Sequence, residues 1–154
     1  MRLKTMTSIN IVNSCDLDKI NDLIHDCSFD IDAIENEKDM FKIKIAIDNS
    51  AIILKRKCLI FKQFEIKEME CILCIYGVNS YNIVDPCKIG IYCLNKIDFN
   101  SKNCSFSILC AEPVTITVNA VYFKVSLSMT DKIIRLKKRW KVFTSRYEHG
   151  YPAP

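Results

Sequence analysis

Apolar and polar residues alternate with period two along most of this chain. Phe41, Ile43, Ile45 and Ile47 alternate with Lys42, Lys44 and Ala46, the pattern of an antiparallel strand with one wet face. Glu37-Lys38-Asp39 turns into this strand and Asp48-Asn49-Ser50 turns out of it. Met69, Cys71, Leu73 and Ile75 share one face of a later strand, from which Glu68 and Glu70 face away. The same reading predicts strands over 8–12, 29–35, 52–54 and 58–66, and a hairpin of 89–99 and 104–110 closed by Asn100-Ser101-Lys102-Asn103. Between Val114 and Leu127 the phase switches. Val114, Ile116 and Val118 are even, whereas Val121, Phe123, Val125 and Leu127 are odd. A one-residue slip flips side chains across a sheet, so the switch predicts a bulge or break near Asn119-Ala120.

Two segments follow a helical period instead. Leu17, Ile20, Leu23, Ile24 and Cys27 form one stripe, with Asp16 placed as an N-cap. Near the other end, Ile133, Leu136, Trp140 and Phe143 fall on one stripe after Thr130 or Asp131, which predicts a closing amphipathic helix. The expected fold is α+β: a curved, mostly antiparallel sheet of about seven to nine strands with one helix near the N-terminus and one at the C-terminus. A single domain is expected over 1–146, with 147–154 an irregular or disordered tail.

Composition narrows the function more by exclusion than by indication. The chain has 154 residues and only three glycines, Gly77, Gly90 and Gly150. Glycine-rich phosphate loops need several at fixed spacing, and turns here are expected to use Asn, Asp, Ser and Lys. The longest apolar run, from Cys71 to Val78, holds eight residues, against the roughly 20 that span a bilayer. The start lacks a secretory apolar core, so a cytoplasmic protein is expected. Its nine cysteines are then read as reduced thiols, mostly small core residues.

Cys71-x-x-Cys74 is the one C-x-x-C, and it lies mid-strand, where residues three apart point to opposite faces. Core packing accounts for it better than zinc or redox chemistry. Ile24-His25-Asp26-Cys27 puts a histidine beside an acid and a thiol, but neighbours on a helix diverge and cannot converge as nucleophile, base and orienter. A solvated helix-end histidine is the expectation. Asp30-x-Asp32 resembles the opening of a calcium loop without its glycine or closing glutamate. No catalytic residue, cofactor or metal is assigned.

Charge is sorted by position. Residues Ser14 to Asp39 carry nine acids and two cations, a net of −7, whereas Asp131 to Pro154 carry seven cations and two acids, a net of +5. Lys132, Arg135, Lys137, Lys138, Arg139, Trp140 and Lys141 make the last segment the candidate binding surface, with Arg146 following in the same basic run. It can dock on the sheet with its charges solvated, meet a protein or membrane surface, or contact phosphate with Trp140 available for stacking. The preferred expectation is a non-catalytic binding or assembly module that uses opposite-charge surfaces toward a protein partner or a second copy. Nucleic-acid binding and a small thiol-dependent enzyme are the alternatives.

Overall fold

The computed structural model describes residues 8–48, 53–57 and 61–142. Strand β1 (Ser8–Ile11) leads through a 3-10 turn into helix α1 (Asp18–Ile24), β2 (Cys27–Asp30) and β3 (Glu35–Glu37). Then come β4 (Met40–Asp48), β5 (Ile53–Lys57), β6 (Phe61–Tyr76), β7 (Val78–Val84), β8 (Ile91–Asn100), β9 (Ser105–Cys110), β10 (Thr115–Ala120) and β11 (Val125–Val142). All eleven strands belong to one antiparallel sheet ordered β1-β11-β6-β4-β2-β8-β9-β10-β7, with β3 added beside β4 and β5 beside β6.

The expected C-terminal helix is not formed. Residues 130–142 are strand, part of the eighteen-residue β11, and the expected count of seven to nine strands becomes eleven. The reason is β6, which pairs with β11 from Val125↔Ile75 to Val142↔Phe61, with register shifts between Met129 and Ile133 and between Ile133 and Arg135. A tertiary ladder of that length overrides a short helical stripe rich in β-branched and aromatic residues. Phe143, Arg146 and the tail from 147 lie outside the described residues. Among the described residues, no helix is long and apolar enough to cross a membrane.

Connectivity forces the sheet to curl. β6 and β7 are joined through Gly77 alone, yet five strands separate them in the sheet. The sheet therefore folds back so that its β7 edge reaches the end of β4. There Val78 donates its amide to the Asp39 carbonyl at 2.9 Å, and the Phe41 and Tyr81 rings lie 5.2 Å apart. Gly77 sits at φ +69° in this link, the left-handed region that favours glycine. Elsewhere the glycine-poor chain turns through non-glycine residues at positive φ: Asp26, Lys38, Lys88 and Cys104. The expected slip at Asn119-Ala120 is present as a register shift between β10 and β7.

The odd-numbered face of β4, β6 and β11 and the facing side of β8, β9 and β10 enclose the core. Phe41, Ile43, Ile45, Leu73, Ile75, Leu94, Ile108 and Ile116 are almost wholly buried in it. Helix α1 is shorter than expected, and Cys27 opens β2 rather than closing the helical stripe. Ile20 and Ile24 are fully buried, each worth about 1.5–3 kcal/mol of burial. Asn21 pins the helix to β8: its side-chain amide donates to the Ile97 carbonyl at 3.0 Å, and its oxygen accepts the Ile97 N–H at 2.8 Å. Ile97 pairs with Ile108 of β9 on one side, and on the other the β2 pairing ends at Cys27↔Leu94, so the Asn21 side chain takes the place of a strand there.

Candidate functional site

At the end of the sheet away from Gly77, β6 and β11 outrun their neighbours. β4 ends its pairing with β6 at Asp48↔Glu68. Beyond that point β6 continues between β11 on one side and β5 on the other, from Ile53↔Glu65 to Lys57↔Lys62. The result is a three-stranded arm. From Lys67 to Phe61 it extends about 20 Å at the usual rise per strand residue.

Two register shifts in β11, between Met129 and Ile133 and between Ile133 and Arg135, decide which residues share a face of this arm. Ile133, Leu136, Lys138 and Trp140 stand opposite Met69, Lys67, Glu65 and Gln63, all odd positions of β6 and hence one face. Arg135 and Lys137 stand opposite Glu68 and Ile66 on the other face. Arg139 and Lys141 occupy strand positions opposite Phe64 and Lys62; the placement of their side chains lies outside what the structure describes.

The face bearing Trp140 exposes several large apolar side chains beside Lys138, Glu65 and Lys67. Trp140 is 56% exposed, Leu136 52% and Ile133 46%, with Phe61 and the bulged Ile134 also exposed. The other face begins with a compact ion cluster. Glu68, whose side chain is only 9% accessible, meets Lys137 Nζ at 3.0 Å and Arg135 Nε at 3.4 Å, and Lys137 also reaches Asp48 at 2.9 Å. The Asp48 carboxylate, hydrogen-bonded to Lys137, raises the ammonium's pKa, with Glu68 adding to the effect. One step closer to the body, Lys132 pairs with Glu70 at 3.0 Å, and the Thr130 hydroxyl donates to the Glu70 carbonyl at 3.0 Å.

Three of the seven candidate binding residues, Lys132, Arg135 and Lys137, are thus held by carboxylates of the same chain. Lys138 and Trp140 project on the apolar face. The acidic block does not supply those carboxylates. Asp16 pairs with Lys19 at 2.7 Å, Glu37 with Lys42 at 2.8 Å, and Glu35 with Lys44. Lys42's hydrogen bond holds the Glu37 carboxyl below its ordinary pKa. Among the described residues, no ion pair joins 14–39 to 131–138. Among the described residues, the two blocks face each other across a cleft of about 490 Å³, with Asp22, His25 and Asp26 on one wall and Glu68, Arg135 and Lys137 on the other.

Cys27 lines that cleft too, but in an unreactive state. Its Sγ donates to the Leu23 carbonyl at 3.4 Å, and burial, reinforced by Cys71 and nearby carboxylates, pushes the thiol up to about 12. Burial raises Cys71, Cys74, Cys93 and Cys110 as well, and a protonated thiol is a poor nucleophile. His25 closes α1 with a side chain 61% exposed, and its Nδ1 lies 3.0 Å from the Asp26 carboxylate. Cys71 and Cys74 point to opposite faces, paired across β6 with Ile45 and Lys42 respectively. Asp30 accepts the Asp32 N–H at 2.9 Å and so caps the 3-10 turn Ile31–Ala33.

Sequence reading found the cations but not Asp48, Glu68 and Glu70 as their partners. The available signal was that Glu68 and Glu70 lie on the wet face of β6; the strand beside them was the missing piece. Comparison with known protein families, curated proteins and solved structures finds no match to this chain.

Proposed function

We propose that this protein is a non-catalytic binding module whose β5–β6–β11 arm docks on another protein. The observation that carries this reading is the exposure of Trp140 and Leu136 together on one face of the arm. Partly buried aromatic anchors dominate protein interfaces, and large apolar side chains exposed together on one face favour such a role. The cations flanking it orient an acidic partner and speed its encounter more than they add affinity. In-chain neutralisation of Lys132, Arg135 and Lys137 weighs against an arm built mainly to neutralise phosphates.

Assembly of the chain with itself through opposite-charge surfaces is weaker support for the same class. Glu35, Glu37 and Asp16 are already engaged by neighbouring lysines. Size measured at low and high salt decides it, since salt-dependent dimers are required. Nucleic-acid binding is the second reading, favoured by one observation: Lys138 and Trp140 share a face of the arm, where a cation can meet phosphate and an aromatic ring can stack on a base.

The test is co-purification of wild type and a Leu136→Ala/Trp140→Ala variant, with and without nuclease, followed by rebinding of the purified pair. A protein bound by wild type, lost from the variant and recovered in the purified pair supports the reading. Partners retained by the variant, or lost on nuclease treatment, count against it.

A further inference from the structure

The β11 strand is paired on both sides only near the body. β1 covers Val125 to Ser128, whereas β6 follows β11 to Val142 on the other side. Among the described residues, nothing pairs with the second edge of β11 from Ile133 to Val142. An open edge is a row of unpaired N–H and C=O groups, a template for another strand. Ten residues present about 33 Å of it.

Charge selects what such a template accepts. Between Ile133 and Val142 the strand carries five cations and no acid; Arg135 and Lys137 share Glu68 and Asp48 on one face, and Lys138 stands on the other. Pairing with the same edge of a second copy sets cations against cations, which destabilises cross-strand neighbours. Residues 1–7 of the chain itself carry Arg2 and Lys4 and no acid, again the wrong sign. The lysines that guard the edge against self-association therefore favour one class of visitor, an acidic strand. The apolar face adds a pattern, because Leu136 and Trp140 are four residues apart on one face with Lys138 between them.

We propose that the free edge of β11 accepts an extended acidic segment of a partner protein as an added strand. Main-chain hydrogen bonds supply affinity and alternate side chains supply specificity. The complementary segment has apolar residues four apart, against Leu136 and Trp140, with carboxylates at the three positions between them. The inference rests on the arm being a protein-binding surface and adds to it the mode of binding and the chemistry of the partner.

The probe is a twelve-residue synthetic peptide repeating Val-Glu-Glu-Glu, added to the full chain. Its binding is followed by the fluorescence of Trp140, the only tryptophan. The expected result is saturable binding with a blue shift, absent for a Val-Lys-Lys-Lys peptide. Two further peptides carry N-methyl groups on alternate residues, one set for each edge of the peptide strand. Strand addition requires that one set weakens binding at least tenfold while the other leaves it within twofold.

Equal effects of the two sets overturn strand addition. If that binding, followed for this tryptophan-free variant by isothermal titration calorimetry, also disappears in Leu136→Ala/Trp140→Ala, the wider protein-docking reading survives. Failure of every peptide to bind overturns the proposal outright, and an oligonucleotide shifting Trp140 in its place transfers the arm to nucleic acid.

Discussion

Glu68→Gln tests whether the root of the arm is held by charge. Glutamine keeps the side chain's volume and one carbonyl acceptor, so the perturbation is the loss of one negative charge from a side chain only 9% accessible. Two cations lie within 3.4 Å of it. At an effective dielectric near 20, each contact is worth about 4 kcal/mol before desolvation. Arg135 is 68% exposed and contributes little, and Lys137 retains Asp48, so the net loss comes to about 1–2 kcal/mol. Urea denaturation followed by circular dichroism at pH 7 reads this number. A double-mutant cycle with Lys137→Met isolates the pair, with a coupling of about 1 kcal/mol expected. Stability within about 0.3 kcal/mol of wild type, or strict additivity with Lys137→Met, refutes the reasoning. The same substitution adds one unit of positive charge to the arm. It should therefore tighten binding of the acidic peptide while weakening the fold, a pairing of signs that general damage does not produce.

Gly77→Ala places a Cβ 2.6 Å from the Tyr122 ring in a residue at φ +69°. The exposed ring can move aside, so the backbone cost dominates, and denaturant melts should show a loss of about 1–2 kcal/mol. Asn21→Ala leaves the Ile97 N–H and carbonyl without their partner; a loss of about 1–3 kcal/mol is expected, with faster hydrogen exchange in α1 and not in β10. Tyr92 donates its hydroxyl to Asp85 and accepts the Ile89 N–H, and that hydroxyl holds the Asp85 carboxyl below its ordinary pKa. The carboxylate's contribution is present above about pH 4 and is lost as pH falls through the lowered folded value. Tyr92→Phe should thus shrink the stability difference between pH 7 and pH 3, and an unchanged difference would remove the link. Cys27, with its thiol pushed up to about 12, should resist thiol reagents at pH 8 until unfolding; labelling of the native chain at Cys27, read by mass spectrometry, would revive thiol chemistry.

Much of the sheet was legible because its strands are one-sided. β4 reads directly as buried odd positions and wet even ones, and the β8–β9 hairpin announces itself through Asn100 to Asn103, the first of which accepts the Lys102 N–H at 3.0 Å. β6 was less legible. It runs sixteen residues without a break, where a change of environment from arm to body at Glu68 looks in sequence like two strands. β7 carries polar and half-exposed residues from Asn79 to Val84, so it lacks the alternation that marks an inner strand. Pairing partners are not written in local pattern at all, which is why Glu68 and Lys137, 69 residues apart in sequence, came into view only with the ladder.

The error at the C-terminal end has a specific cause. Leu136 and Trp140 are four apart, a spacing that satisfies a helix and a strand alike. Ile133 lies three before Leu136, which on a regular strand puts them on opposite faces and on a helix puts them together. The register shift between Ile133 and Arg135 absorbs the odd residue, so Ile133 and Leu136 do share a face, but the face belongs to a bulged strand. A bulge beside two β-branched residues thus counterfeits a helical stripe. The consequence is functional as well as architectural. A helix would have closed its backbone groups upon itself and offered a partner only side chains, whereas the strand, among the described residues, leaves one edge from Ile133 to Val142 without a paired neighbour.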